Sequence, residues 1–449
     1  MRHLSRLALG TVQPATQTEP LVWGLLAALH AAERTPALLQ SCSWLAPHDP
    51  TRSLIGSGTR HLDSWAMSRS SCLRTILRSS EHAEISLVTG EFDLATPANT
   101  AIDAPPGSSL DTLCDWLDLP RLAIVDLAQL GPCQLPGLPR RLDGILLDNA
   151  HDRDHAARWQ VTLEAVAKVP VLGWLDEAPA LRTLCETLPA GRDPSPELCL
   201  ALGKRLRPNL RLEKLLALAE RWPLPPLPAD DLLLELPHRP LRIALAYDED
   251  CCGYFPDTLD LLEQSGAELC DFSPLRSGAL PDDADVVYFG CGHPERRPEA
   301  IAGNHCLQQS LRSFAAGGGR IYAEGSGVAY LCREMALPCG RRLPMTGLLP
   351  AVARLLDEAG PPEPTELTFA AGSWMVDSGT VLRGYRHPAW QLEPRGPLVT
   401  YAADHRQRFD ILGRGNVLAS RMLINLAANE HLIARFVEPA LVATRRRGR

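Results

Sequence analysis

Lysine is nearly absent from this chain: Lys168, Lys204 and Lys214 are the only ones, and none precedes residue 168. Arginine supplies the other cations, so the shortage matters only where chemistry demands a primary ammonium. No apolar run reaches the ~18–20 residues that cross a bilayer, and the opening MRHLSRLALGTVQP lacks the apolar stretch and cleavage site of a secretory leader. Both absences predict a cytoplasmic protein with no membrane contact. The 13 cysteines never occur as C-x-x-C, which argues against a disulfide framework or a zinc site and for reduced core thiols. With a net charge of −8 and no basic stripe, nucleic acid is excluded as a partner; Arg445, Arg446, Arg447 and Arg449 read as a solvated end.

What is present is enough apolar material, 45% of 449 residues, for two α/β domains. Up to about residue 190, short apolar runs alternate with helical-period segments, the pattern of a parallel sheet wrapped by helices. Strands are expected at 4–9, 85–88, 122–125, 144–147 and 169–173, with a helix at 21–32 whose Leu21, Leu25, Ala28 and Leu29 share one face. A helical piece at 204–221 precedes WPLPPLPADD and two further prolines flanking His238 and Arg239. Proline at this density favours a stiff extended connector. The expected division is therefore 1–195, a Pro-rich helical linker at 196–240, and 241–449. After the linker, strands are expected at 242–246, 268–272, 286–289 and 320–323, helices at 256–265 and 299–315, and a strand-to-helix turn at 324–327.

The loop after the first strand, GTVQPATQTEP, opens a helix as a phosphate-binding loop would, but it has neither the inner glycines nor the lysine that such a loop needs. The region resembles the N-terminal domain of cobyrinic acid a,c-diamide synthases, whose loop runs roughly G-T-x-S-G-x-G-K-T-T. Gly10, Thr11 and Thr18 match; Pro14 and Thr16 replace the inner glycines, Gln17 the lysine and Glu19 a threonine. HLDSW at 61–65 is similar to the family's N-L-D-S-W, and LQSCSWLAP keeps only Pro47 and the aromatic Trp44 of the segment before it. In the strand that resembles V-V-E-G, Thr89 stands where the family has a magnesium-binding glutamate.

The second half is similar to the family's glutamine amidotransferase domain across 242–436. VVYFGCGHPE at 286–295 stands for Y-L-G-G-G-Y-P-E, and RIYAEGSGVAYL at 320–331 for I-Y-A-E-C-G-G-L-M-Y-L. The resemblance places the family's nucleophilic cysteine at Gly325. GNVLASRMLINLAANEHLIARF at 415–436 places its general-base histidine at Leu423 and a second histidine at Asn425. The fold it implies is two doubly wound α/β domains: a degenerate P-loop, dethiobiotin-synthetase-like parallel sheet, then a class I amidotransferase-like, flavodoxin-like domain.

Several residues admit two readings. Ser326 is a substitute nucleophile or a helix-capping serine, and without a nearby histidine we take the cap. Cys291 and His293 form a makeshift dyad or a buried cysteine beside a loop histidine, and we take the second. His151 and His155 are a metal pair or a solvated polar turn, and we take the turn. Asp63 and Trp65 either face a ligand or cap and pack beneath the next helix, and both readings stay open. Glu295 and Glu324 are candidates to face a substrate or to orient loops. The Cys251–Cys252 pair has no assigned role.

The resemblance implies ATP, magnesium and glutamine chemistry on the acetate side chains of a corrin-type tetrapyrrole. The residues imply that this chemistry is lost, leaving Gly10, Thr11, Gln17 and Thr18 as a vestigial nucleotide loop. We expect a non-catalytic tetrapyrrole-binding or partner protein in cobalamin- or siroheme-type metabolism, needing no cofactor or metal. Its partners would be a tetrapyrrole, an intact paralogous synthase or a second copy of the chain. The alternative is an active ligase that uses ATP, magnesium and free ammonia.

Overall fold

The computed structural model describes residues 4–14, 16–93, 107–131, 134–221, 223, 225, 240–357, 360–403 and 408–438. The arginines at 445–449 and most of the proline connector lie outside the described residues. The chain divides into two compact units, Met1–Cys42 with Ala46–Leu233, and Ser43–Leu45 with Leu234–Arg449.

In the first unit, β1 (Ser5–Thr11), α1 (Glu19–His30), β2 (Pro36–Gln40), α2 (Pro50–Ile55), β3 (Arg60–His61), α3 (Arg69–Ser79) and β4 (Ile85–Glu91) are followed by α4 (Leu110–Leu117), β5 (Arg121–Asp126), β6 (Gly144–Ala150), α5 (Arg153–Ala167), β7 (Val171–Asp176), α6 (Pro179–Glu186), α7 (Pro196–Leu206) and α8 (Leu212–Ala219). The strands form one sheet in the order β3-β2-β4-β1-β5-β6-β7, every pairing parallel. The chain leaves β1 towards β2 on one side and reaches β5 on the other. Order therefore reverses at the carboxyl end of β1, where open α/β sheets take their ligands.

The expected strands form, each shifted by a residue or a few. Two more, β2 and β3, are not legible in the sequence because PALLQ and a two-residue bridge are too short to show a period. Helix α1 buries every residue from Pro20 to Leu29, not one face, because it is covered by the sheet on one side and by α7 on the other. That cover corrects the expected linker. Pro196 sits in the first turn of a helix capped by Ser195, where its missing N–H costs nothing. Cys199, Leu202, Leu206, Leu215 and Ala219 then join the core of the first unit. The piece expected at 204–221 is two helices, separated by a single 3₁₀ turn at Arg207–Asn209.

The second unit begins with β8 (Leu241–Ala246), β9 (Cys251–Gly253), α9 (Pro256–Gln264), β10 (Ala267–Phe272), β11 (Val286–Phe289), β12 (Cys291–Gly292), α10 (Pro298–Gly303), α11 (His305–Ala316), β13 (Arg320–Glu324) and α12 (Val328–Leu331). It continues with β14 (Cys332–Ala336), β15 (Arg342–Pro344), β16 (Leu349–Leu355), β17 (Glu363–Thr368), β18 (Val381–Arg386), β19 (Trp390–Pro394), β20 (Val399–Ala403), β21 (Phe409–Arg414), β22 (Val417–Ser420), β23 (Met422–Leu423) and α13 (Glu430–Val437). The main sheet runs β10-β8-β11-β13-β22-β21-β20, parallel from β10 to β22 and antiparallel beyond. The helix expected at 299–315 is two, divided at Asn304, whose side chain accepts from Leu307 N–H to start α11. No helix among the described residues is long and apolar enough to cross a membrane.

Candidate functional site

In the first unit the residues after β1 are tied down by their own side chains. Gln13 accepts from Asp126 N–H at 2.7 Å and donates to Asp126 C=O at 2.9 Å, as a neighbouring strand residue would. Thr16 Oγ1 donates to Gln13 C=O at 3.0 Å, and Gln129 reaches both Thr16 and the Asp126 carboxylate. Asn149 holds the other carboxylate oxygen of Asp126 at 2.7 Å. A methyl group on Gly10 would lie 2.3 Å from the Phe92 ring, so this position has room only for glycine.

Of the remaining loop residues, Thr11 ends β1 and is buried, and Gln17 is exposed. Thr18 occupies the N-cap of α1 without a side-chain hydrogen bond, and Glu19 places a carboxylate in the first turn. Thr89 hydrogen-bonds Leu39 C=O across to β2 at 3.3 Å.

Asp63 is fully buried. Its carboxylate accepts from Trp65 N–H at 2.9 Å and Ala66 N–H at 2.8 Å, so it folds the turn over Ser64–Ala66. The following helix α3 is capped instead by Ser68. Trp65 is half-buried on that turn. His151 stands outside α5. His155 has one ring nitrogen against His151 N–H at 3.1 Å and the other against Trp159 Nε1–H at 3.0 Å.

In the second unit the strand-to-helix turn after β13 is a single 3₁₀ turn, Gly325–Gly327. Gly325 has φ +58°, a left-handed conformation that glycine adopts at low cost. A methyl group built on it would lie 2.9 Å from Cys291 Sγ and 3.0 Å from Leu423 Cδ2. The structure thus brings together the two positions, 325 and 423, where the family motif has thiol and imidazole. Here a glycine hydrogen and a leucine side chain take those places, and Leu423 packs with Cys291 and Phe255 in one buried cluster.

Ser326 is neither a nucleophile with a base nor the expected helix cap. Its hydroxyl donates to Gly292 C=O and accepts from Gly292 N–H, both at 2.7 Å, stapling the turn to β12. Cys291 Sγ lies 3.4 Å from the same hydroxyl, and burial pushes its pKa up. His293 faces Glu295 at 3.0 Å. His387, which no sequence motif marks, has its pKa lowered to about 3 by burial first and then by His293 and Arg421.

Glu324 is buried beneath the turn. Its carboxyl accepts from Tyr288 OH, from Tyr322 OH at 3.3 Å and from Ile424 N–H at 3.3 Å, and burial pushes its pKa up to about 7. It braces β11, β13 and the residue that follows β23. Cys251 is buried and Cys252 half-buried on β9.

Sequence reasoning could not have found Gln13, Phe92 or Phe255, since each acts through a contact with a chain segment far away in sequence. The glycine at 325 was the one legible signal of the turn.

The chain is similar in sequence to known proteins over most of its length. Residues 242–359 match the CobB/CobQ-like glutamine amidotransferase domain. The cobyrinate a,c-diamide synthase of Dehalococcoides mccartyi (strain CBDB1) is 27% identical over 399 residues, covering 84% of this chain and 85% of its own. That of Syntrophotalea carbinolica is 28% identical over 401 residues, covering 84% and 86%. The resemblance stated from the sequence is thereby borne out along most of the chain. Among solved structures, a glutamine amidotransferase is 14% identical, covers 43% of this chain and 96% of its own, and superposes with a TM-score of 0.34.

Proposed function

We propose that this protein is a homologue of the cobyrinate a,c-diamide synthases that performs neither half of their reaction and acts by binding. Its ligand is a tetrapyrrole acid or an intact paralogous synthase, in cobalamin- or siroheme-type metabolism. The observation that carries the reading is the apolar meeting of Gly325 and Leu423 beside Cys291.

Releasing ammonia from glutamine requires a thiolate to add to the side-chain carbonyl and a base to move the proton. At this turn the available thiol is buried and protonated, Ser326 is spent on Gly292, and the position of the base is a leucine. In the first unit the loop does not fit a magnesium triphosphate. Gln13 occupies it, the lysine is absent, and Glu19 and Asp126 would repel the charge that such a loop must attract.

The test uses the purified full chain with ATP, magnesium and a tetrapyrrole acid, supplied with either glutamine or ammonium. We expect no glutamate release, no nucleotide hydrolysis and no amide in either arm, together with saturable quenching of tryptophan fluorescence by the tetrapyrrole or co-purification with a synthase. Glutamate from glutamine would overturn the reading of the second unit. Amide from ammonium would overturn that of the first.

A further inference from the structure

Helix α5 buries only Ala156 and Leu163 among its 15 residues. A helix lying on a sheet at the surface usually turns a polar face outward, yet the outward stripe of α5 is apolar at its centre. Val161 is 70% exposed, more than any other large apolar side chain among the described residues, and Val166 is 53% exposed. Ala157 and Ala165, one turn to either side of Val161, are exposed as well.

Charges frame this centre symmetrically. Asp154 lies seven residues before Val161 and Lys168 seven after, and both are exposed. At 3.6 residues per turn, both fall on the Val161 stripe. Neither side chain makes a hydrogen bond or ion pair among the described residues. Arg158 and Glu164 repeat the pattern three residues from Val161 on each side. Glu164 already accepts from Val171 N–H at 2.9 Å, so the outer pair carries the register.

Two copies of α5 laid antiparallel about a two-fold axis through Val161 set each residue against the one equally far on the other side of that position. Valine then meets valine, Ala157 meets Ala165, and Asp154 meets Lys168 at both ends. Laid parallel, the same stripe opposes Asp154 to Asp154 and Lys168 to Lys168. Like charges in contact are disfavoured, so the stripe is self-complementary in one orientation only, as an isologous interface requires. The small side chains of Ala157 and Ala165 let the two helix axes approach closely.

We propose that α5 is the contact between two copies of this chain, paired antiparallel about Val161, with Asp154 of each copy against Lys168 of the other. The helix is about 22 Å long, and one helix pair falls short of the ~1,600 Å² of a standard interface. The dimer is therefore weak and forms as concentration rises. The pairing is independent of the function proposed above.

The experiment is sedimentation velocity of the full chain from about 2 to 200 µM, the range in which a weak dimer assembles. The mean sedimentation coefficient is expected to rise from that of a monomer towards that of a dimer. V161E sets two carboxylates against each other on the axis and should raise the dissociation constant about tenfold or more. Because Val161 is exposed, the urea midpoint of this variant should match the parent's. K168E, which opposes like charges at both ends, should weaken the dimer about fivefold, and the charge swap D154K/K168E should restore it. A chain that stays monomeric throughout, or a dimer that V161E leaves intact, would overturn the pairing. A swap that restores nothing would overturn the antiparallel register.

Discussion

At the residue scale, Gly325 decides both stability and chemistry. Substituting alanine places a side chain in left-handed backbone and into contact with Cys291 and Leu423, so G325A should cost about 1–3 kcal/mol in urea denaturation. The clash is shared, so C291G/G325A should cost less than the two single changes added. Strict additivity would mean that the contact is not what constrains the turn. Glu324, one residue earlier, supplies a pH signature. Its folded pKa of about 7 lies above the ordinary 4.5. Between those values the folded protein keeps a proton that the unfolded chain has released. Stability should therefore fall as pH rises through this window and level off above it. E324Q removes the titration, and its denaturation midpoint should be flatter over the same range. An unchanged slope in the variant would assign the pH dependence to other groups, Asp148 among them, whose carboxyl burial raises to about 6.

At the element scale, the packing of α7 on α1 makes the most direct demand on sequence. A methyl group on Gly203 would lie 2.9 Å from Ala27 Cβ and 3.2 Å from the Ala28 nitrogen, and one on Gly24 would lie 3.3 Å from the Leu202 backbone. Two helices at this distance leave no room for a branched side chain. G203V should destabilise the first unit by about 1–3 kcal/mol, readable as a lowered urea midpoint, and a neutral outcome would mean that the helices part at little cost.

This same contact shows where sequence reasoning stops. The apolar runs of β1, β4, β5 and β6 are legible because buried parallel strands need continuous apolar residues. The motifs at 325 and 423 are legible because the surrounding resemblance fixes their register. Helix α7 is hidden because proline density suggests a connector, whereas Pro196 is a helix start. β14 to β20 carry no period long enough to read, and their ladders depend on partners far along the chain. Asp63 stays open in the sequence since capping and ligand-facing aspartates look alike there, and its contacts with the Trp65 and Ala66 N–H groups follow from a local turn that no sequence pattern marks.

At the scale of the whole molecule, each unit closes its own core. Leu7, Leu9, Leu122, Ile124 and residues of α1 and α7 form one cluster in the first unit, and Tyr288, Tyr322 and Phe436 belong to another in the second. Bodies with separate cores melt separately unless their interface is large and apolar. Scanning calorimetry should therefore resolve two transitions, and the substitutions already argued become their labels. G203V should lower one transition and leave the other in place, while G325A should do the reverse. For domains of this size a change of about 1 kcal/mol moves a midpoint by roughly 2–4 °C, enough to assign each peak. A single transition that both variants shift as a whole would show that the two units unfold as one cooperative body. The argument from separate cores would then fail.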